Sequence, residues 1–189
     1  LTTSDLATPR NRNLGDELDW LDLQVQGNRL LRDLDDAHFT DDLDRLQKRL
    51  EQQTERNPDG ALFALFHLAS SEIQLYSATH SMLVSVMCAL AARDVLGWPQ
   101  HLVEGVCKAA LTMNVAMTEL QDRLAAQNDP PTAAQRELID QHPRRSEVLL
   151  RRLGLQDDLC LEAVREHHST GPGPLAARTD GQRIARLLQ

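Results

Sequence analysis

Long apolar runs are missing from this chain of 189 residues. The longest, residues 82–92, is interrupted by Ser85 and falls well short of the ~20 residues that cross a bilayer. No basic stretch followed by an apolar one opens the chain, so no signal peptide is expected. Its first residue is Leu1 rather than Met, which leaves room for a longer protein with a tethering or sensory segment upstream. Positive charge is also short: 20 Lys/Arg against 28 Asp/Glu give a net charge of −8. That argues against non-specific nucleic-acid binding, which needs an excess of basic residues. The deficit is uneven. Residues 1–60 hold 14 acidic against 8 basic side chains, and residues 61–189 hold 14 against 12, so the second part tolerates a phosphate ligand. Cysteines number three, Cys88, Cys107 and Cys160. They form no CxxC pair and sit in apolar helical patterns, so we expect reduced core thiols in a cytoplasmic protein. Alternation of β-branched with polar residues is nearly absent, which excludes a sheet, and there is no internal repeat or low-complexity tract.

What is present is helical periodicity in a chain of ordinary globular composition, 41% hydrophobic and 25% charged. Leu14, Leu18, Leu21 and Val25 mark one face of a helix ending near Gly27 or running on through Leu30, Leu31 and Leu34. Thr40 is placed to cap a second helix, with Asp41 and Asp42 in its first turn and Phe39, Leu43, Leu46 and Leu50 as its stripe. That stripe is too short for a coiled coil. The two helices form a hairpin that cannot bury both faces alone. Trp20, Leu14, Leu18 and Leu21 either pack on the rest of the chain or pair with a second subunit, and we expect a homodimer. Asn57-Pro58-Asp59-Gly60 breaks the chain, with Pro58 suited to a first helical position. Residues 61–72 are apolar on most sides and are expected to be buried. Helices are then expected over 79–96, stopped by Gly97-Trp98-Pro99, and over 101–127. A capping box of Thr132 and Gln135 starts a helix that ends near His142-Pro143. Further helices cover 144–153, stopped by Gly154, then 157–168, and a last one from Gly181. The domain reading is an acidic helical extension over residues 1–57 and a compact all-α domain over 58–189.

Four stretches carry the candidate chemistry. The first is Tyr76-Ser-Ala-Thr-His80-Ser81, and the second Ala109-Ala-Leu-Thr-Met113-Asn114-Val-Ala116-Met117. The others are His142-Pro143 after a capped helix, and His167-His168-Ser169 with a loop Gly171-Pro-Gly-Pro174 beyond. In this order and spacing, residues 75–189 resemble the HD superfamily, and most of all its HD-GYP branch, bacterial phosphodiesterases that open cyclic di-GMP. The family pattern at the second stretch is Ala-x-Leu-x-His-Asp-x-Gly-Lys. Here Met113 stands for the His, Asn114 for the Asp, Ala116 for the Gly and Met117 for the Lys. The Gly-Tyr-Pro loop is lost. A closing Asp would follow the helix at Ile184-Ala-Arg-Leu-Leu-Gln189, where this chain ends, so the resemblance implies a domain truncated at its last helix.

The resemblance implies metal roles position by position. One cation of such enzymes is held by the first His, the HD pair and the closing Asp, and only His80 survives of that set. The other shares the bridging Asp and takes three downstream histidines, all retained as His142, His167 and His168. A third metal, in some branches, uses a Glu where this chain has Tyr76. The losses are severe in physical terms. A thioether at Met113 is a poor ligand in an oxygen and nitrogen site, and neutral Asn114 cannot bridge two cations. Without paired cations little is left to lower a water pKa or clamp a phosphoryl group. His142, His167 and His168, together with His80 or Asn114, either hold a single divalent transition metal (Zn, Mn or Fe), or the histidines survive as hydrogen-bonded polar residues of a vestigial pocket. His167 and His168 are neighbours, about 100° apart around a helix, and reach one site only at a helix end. His38, His67 and His101 fit no ligand pattern and are expected at the surface or between helices.

Arg144, Arg145, Arg151 and Arg152 cluster after His142. Arg144 and Arg145 are candidate phosphate contacts, against a solvated face paired with Glu147 and Asp157. The expected fold is all-α, an HD-domain helical bundle with an N-terminal helical extension. The expected function is a catalytically degenerate regulatory or protein-interaction module in bacterial signalling, without a catalytic residue or resident cofactor. It would engage a protein partner, could bind a cyclic dinucleotide without turnover, and would have no nucleic-acid partner and no membrane segment. The alternative is an active metal-dependent phosphohydrolase, cyclic di-GMP phosphodiesterase-like, using the residual histidine site. A third reading is a helical adaptor acting through the acidic hairpin.

Overall fold

In the computed structural model of the protein the described residues are 12–34, 37–71, 75–169, 171 and 173–189, with side chains from Asp19 onward except that of Ser71. The fold is all-α. Among the described residues every regular element is helical: α1 (Arg12–Arg32), α2 (Phe39–Arg56), α3 (Pro58–Ser71), α4 (Tyr76–Leu90), α5 (Gln100–Thr112), α6 (Thr118–Ala126), α7 (Ala133–Arg152), α8 (Asp158–Glu166) and α9 (Asp180–Leu187). A π-turn, Ala91–Val95, extends α4, and Gly97 ends it in the left-handed region at φ 61. No helix is long and apolar enough to cross a membrane among the described residues.

α4 and α5 form the centre, with α1, α2 and α3 on one side and α8 and α9 on the other. One continuous hydrophobic core runs from Trp20 and Leu23 in α1, through Leu43 and Leu46 in α2 and Met82 and Val86 in α4, to Leu161 in α8 and Ile184 in α9. α1 crosses α4 closely at Gly27, where a Cβ would stand 3.3 Å from Met82 Sδ. Beside that crossing buried Gln24 donates to Thr79 Oγ1 at 2.7 Å, so the polar pair inside the interface is satisfied. Asp122 of α6 ties three helices together. It pairs with Arg32 of α1 and accepts the Ser77 backbone N–H in the first turn of α4 at 2.8 Å, one of the donors a helix start leaves without a partner. Lys108 of α5 reaches Asp44 of α2 at 2.9 Å. α5, α8 and α9 meet at Gly105, where a Cβ would stand 2.7 Å from Leu159 Cδ2.

The α2 stripe Phe39, Leu43, Leu46 and Leu50 is buried throughout. Pro58 opens α3, and Asn57 Oδ1 accepts the Gly60 N–H at 3.0 Å. The capping box of Thr132 and Gln135 forms, Asp157 caps α8 by accepting from Cys160 N, and Thr179 with Gln182 makes a further capping box at α9. Gly154, at φ 88, follows the end of α7.

Several elements depart from the sequence expectation. Leu21 and Val25 are exposed at 45% and 59%, because the buried face of α1 is the one carrying Trp20, Leu23, Gln24, Gly27, Leu30 and Leu31. The side chains of Leu14 and Leu18 lie outside the described residues. Thr40 does not cap α2: the cap position is His38, and the helix already includes Phe39, whose ring is buried in the core. α3 is not buried on most sides. Ala61, Leu65 and Leu68 face the core, while Phe63 and Phe66 are exposed at 76% and 54%. The expected helix end at Glu72 lies outside the described residues. The single helix expected over 101–127 is broken after Thr112 by a turn at Met113 and Asn114 and a 3-10 turn, Val115–Met117. Tertiary bonds hold the break open, with the Ala116 N–H given to Ser146 Oγ on α7 at 3.2 Å and the Ser77 hydroxyl to the Thr118 carbonyl at 2.9 Å. α7 does not stop at His142-Pro143 but runs through Pro143 to Arg152, so no separate helix starts at Arg144.

Candidate metal centre

Proline inside a helix removes the N–H that would bond four residues back. Pro143 therefore leaves the Ile139 carbonyl of α7 without its helical donor. The His142 ring fills the vacancy, with Nδ1 directed at that carbonyl. This orients the Nε2 edge of His142 away from its own helix. His167 is fixed in the same manner at another helix interruption. It is the C-terminal cap of α8, and its Nδ1 lies 2.7 Å from the Val164 carbonyl, one of the acceptors a helix end leaves free. The chain turns just beyond, with Ser169 N–H given to the Glu166 carbonyl at 2.7 Å. That turn swings His168 round beside its neighbour.

The three rings meet between α7 and the end of α8. His142 Nε2 and His167 Nε2 are 3.0 Å apart. Ring centroids are 4.2 Å apart for His167 and His168 and 5.1 Å for His142 and His168. One ligand nitrogen from each lies within 4.8 Å of the others. His142 and His167 are buried, at 1% and 2% exposure, and His168 is open to solvent.

The hydrogen bonds define what this arrangement can hold. An imidazole that donates Nδ1–H carries a lone pair on Nε2. With both Nδ1 atoms on carbonyls, two lone pairs face each other at 3.0 Å. Turning either ring to the other tautomer would repair that contact but set an Nδ1 lone pair against a carbonyl oxygen. Protonation would also repair it, but burial lowers the pKa of His142, and it pushes His167 down to about 4, with the neighbouring rings adding to the effect. Burial lowers His168 as well. A cation between the rings satisfies every group at once. Two nitrogens about 2.1 Å from one cation lie about 3.0 Å apart at a right angle and about 3.4 Å apart at the tetrahedral angle, so the spacing suits a shared ion. A metal-bound histidine donating its other N–H to a backbone carbonyl is the usual supporting arrangement.

The other candidate positions fall elsewhere. His80 is half-buried on α4 and stacks on Tyr76, centroids 5.5 Å apart and rings 17° from parallel; it is not part of the three-histidine group. Met113 is packed into the hydrophobic core, and Asn114 is half-buried beside it. Among the described residues no carboxylate joins the three imidazoles within that 4.8 Å limit. Cys107 and Cys160 are buried and Cys88 half-buried, all unbridged. Burial raises their thiols to about 12, 12 and 11, which leaves them protonated and unreactive at neutral pH. His38, His67 and His101 are exposed.

Arg144, Arg145 and Arg152 are exposed and do not follow the solvated-face pairing set out above. Glu147 pairs with Arg151 at 3.1 Å, and Asp157 caps α8 instead. The three line a concavity of about 640 Å³ together with Arg32 and Arg123. Those last two arginines come from α1 and α6, distant in sequence, so no local spacing could have joined them to the α7 cluster. No family model, no curated protein and no solved structure matches the chain.

Proposed function

We propose that this chain is a helical HD-like module that has lost two-metal phosphoester hydrolysis, keeps one divalent transition metal on His142, His167 and His168, and serves as a regulatory or protein-interaction domain in bacterial signalling. The observation that carries this reading is the convergence of three imidazoles, two of them oriented by backbone carbonyls, with no carboxylate in the group. Those residues suit one cation of the borderline class that imidazole prefers. They do not suit a pair, because Asn114 brings neither the negative charge nor the second oxygen that a bridge needs. When bound, such a cation would supply Lewis acidity at one position. The chain's own residues supply orientation through Ile139 and Val164 and exclude water from two of the three rings.

A second reading, a one-metal phosphohydrolase, draws on the exposure of His168, which leaves the site open on one side; catalytic zinc centres keep such an open position. A turnover assay separates the two. With Zn²⁺, Mn²⁺ or Fe²⁺ supplied, the purified chain is expected to leave cyclic di-GMP and bis-p-nitrophenyl phosphate intact. Hydrolysis that disappears in the His167→Ala/His168→Ala variant would establish the one-metal enzyme instead.

A further inference from the structure

The 640 Å³ concavity lies between the end of α1, the start of α6 and the outer face of α7, and none of the three histidines lines it. Its electrostatics are out of keeping with the chain. In a protein of net charge −8, five arginines border this space against a single acid, Glu119. Arg32 is held by Asp122. The side chains of Arg123, Arg144, Arg145 and Arg152 make no hydrogen bond or ion pair among the described residues. Some exposed or half-buried arginines elsewhere find carboxylates, Arg45 with Asp42 at 2.7 Å, Arg49 with Asp22 at 2.8 Å and Arg151 with Glu147 at 3.1 Å, while Arg29, Arg56 and Arg136 stand singly on the surface; what sets the pocket apart is that its unpaired arginines are gathered at one rim. Arg144, Val148 and Arg152 follow at four-residue steps, so they share one face of α7. Like charges gathered at one rim repel, and a bound anion relieves that repulsion. A helix start adds to the field. α6 begins at the pocket with Met117 as its cap and no side-chain cap hydrogen bond, so its positive end opens into the same space, offset in part by Glu119 in its first turn.

The floor differs from the rim. Leu31, Val115 and Leu120 are buried beneath it, with Leu149, Val148 and Leu138 around them. An apolar floor under a guanidinium rim matches a ligand with a flat, weakly polar body and phosphates at one end. The volume lies within the range of small-molecule sites. Guanidinium pairs phosphate oxygens in a fork as it does a carboxylate, and a rim of several arginines suits the group that brings more charge and more oxygens, a polyphosphate. We propose that this concavity is a binding site for a nucleoside polyphosphate, independent of the histidine cluster.

The test is calorimetric titration of ADP and of GDP into the full chain at low salt. Chelator is present throughout, so that phosphate ligation by a cation on the histidines contributes nothing. Saturable binding is expected with at least one nucleotide, unchanged in the His167→Ala/His168→Ala variant. Arg144→Gln/Arg152→Gln should weaken it by about tenfold or more, while Arg151→Gln, whose side chain is paired with Glu147 outside the pocket, leaves it unchanged. Val148→Glu, a change at an exposed position of the floor, should abolish it, and decides the matter if the arginine variant folds poorly. Inorganic pyrophosphate should bind more weakly than the nucleotide. Absence of saturable binding by either nucleotide, binding undiminished in Val148→Glu, or pyrophosphate binding as tightly as the nucleotide would overturn the proposal.

Discussion

His142 and His167 are each asked to do two things that burial alone would forbid: to keep a polar ring inside the protein, and to hold a lone pair toward another lone pair. Carbonyls answer the first demand, and the cation we propose would answer the second. Their protonation behaviour follows. Burial holds the folded-state pKa of His167 at about 4, below the value near 6.5 of an exposed imidazole. Between those values the unfolded chain binds a proton that the native chain does not, so stability rises with pH across that window and falls on acidification through it. For one ring the loss approaches about 3 kcal/mol, and His142 and His168 shift in the same direction. Thermal unfolding of the chelated protein between pH 7.5 and 4.5 should show a fall in Tm below about pH 6.5, and the fall should be shallower in His167→Gln. A flat profile would mean that the ring is not buried neutral. The four histidines were legible in the sequence as a set, but not the separation of His80 from the other three. That depends on α4 and α8 meeting other partners, which no spacing encodes.

At the scale of the element, the informative helix is α7. Pro143 reads from sequence as a stop, because proline in a helix interior costs about 3 kcal/mol. The helix continues because the carbonyl that proline orphans is taken by the side chain before it. The dipeptide His142-Pro143 thus works as a unit in which the backbone defect orients the ring. Replacing the proline should undo this. Pro143→Ala returns an N–H to the Ile139 carbonyl in competition with His142 Nδ1. Metal affinity is expected to fall by about 10- to 100-fold while the helix becomes no less stable. Competition against a chromophoric chelator, with Tm measured alongside, checks both halves; unchanged affinity would show that the carbonyl contact does not matter. The break between α5 and α6 was invisible for the opposite reason. The apolar period runs unbroken through Met113, and only bonds to α4 and α7 reveal the turn. Where a local signal was strong, as in the α2 stripe or the Thr132 capping box, sequence and structure agree.

In the whole molecule, the acidic N-terminal helices share one core with the rest. Trp20 and Leu23 belong to the same cluster as Leu161 and Ile184, and Gln24 and Arg32 fasten α1 across α4 and α6. The all-α class was plain from the near-absence of β-branched alternation. The arginine concavity was not, because it is assembled from three helices. The histidine centre lies between α7 and α8, and the arginine concavity between α1, α6 and α7. The first of these is the site we propose for a cation. The direct measurement is elemental mass spectrometry of the full chain purified without chelator, beside His167→Ala/His168→Ala. About one transition-metal ion per chain, lost in the variant, is the expected result. A protein that carries none and takes none up from Zn²⁺, Mn²⁺ or Fe²⁺, or a variant that retains as much as the parent, would contradict it.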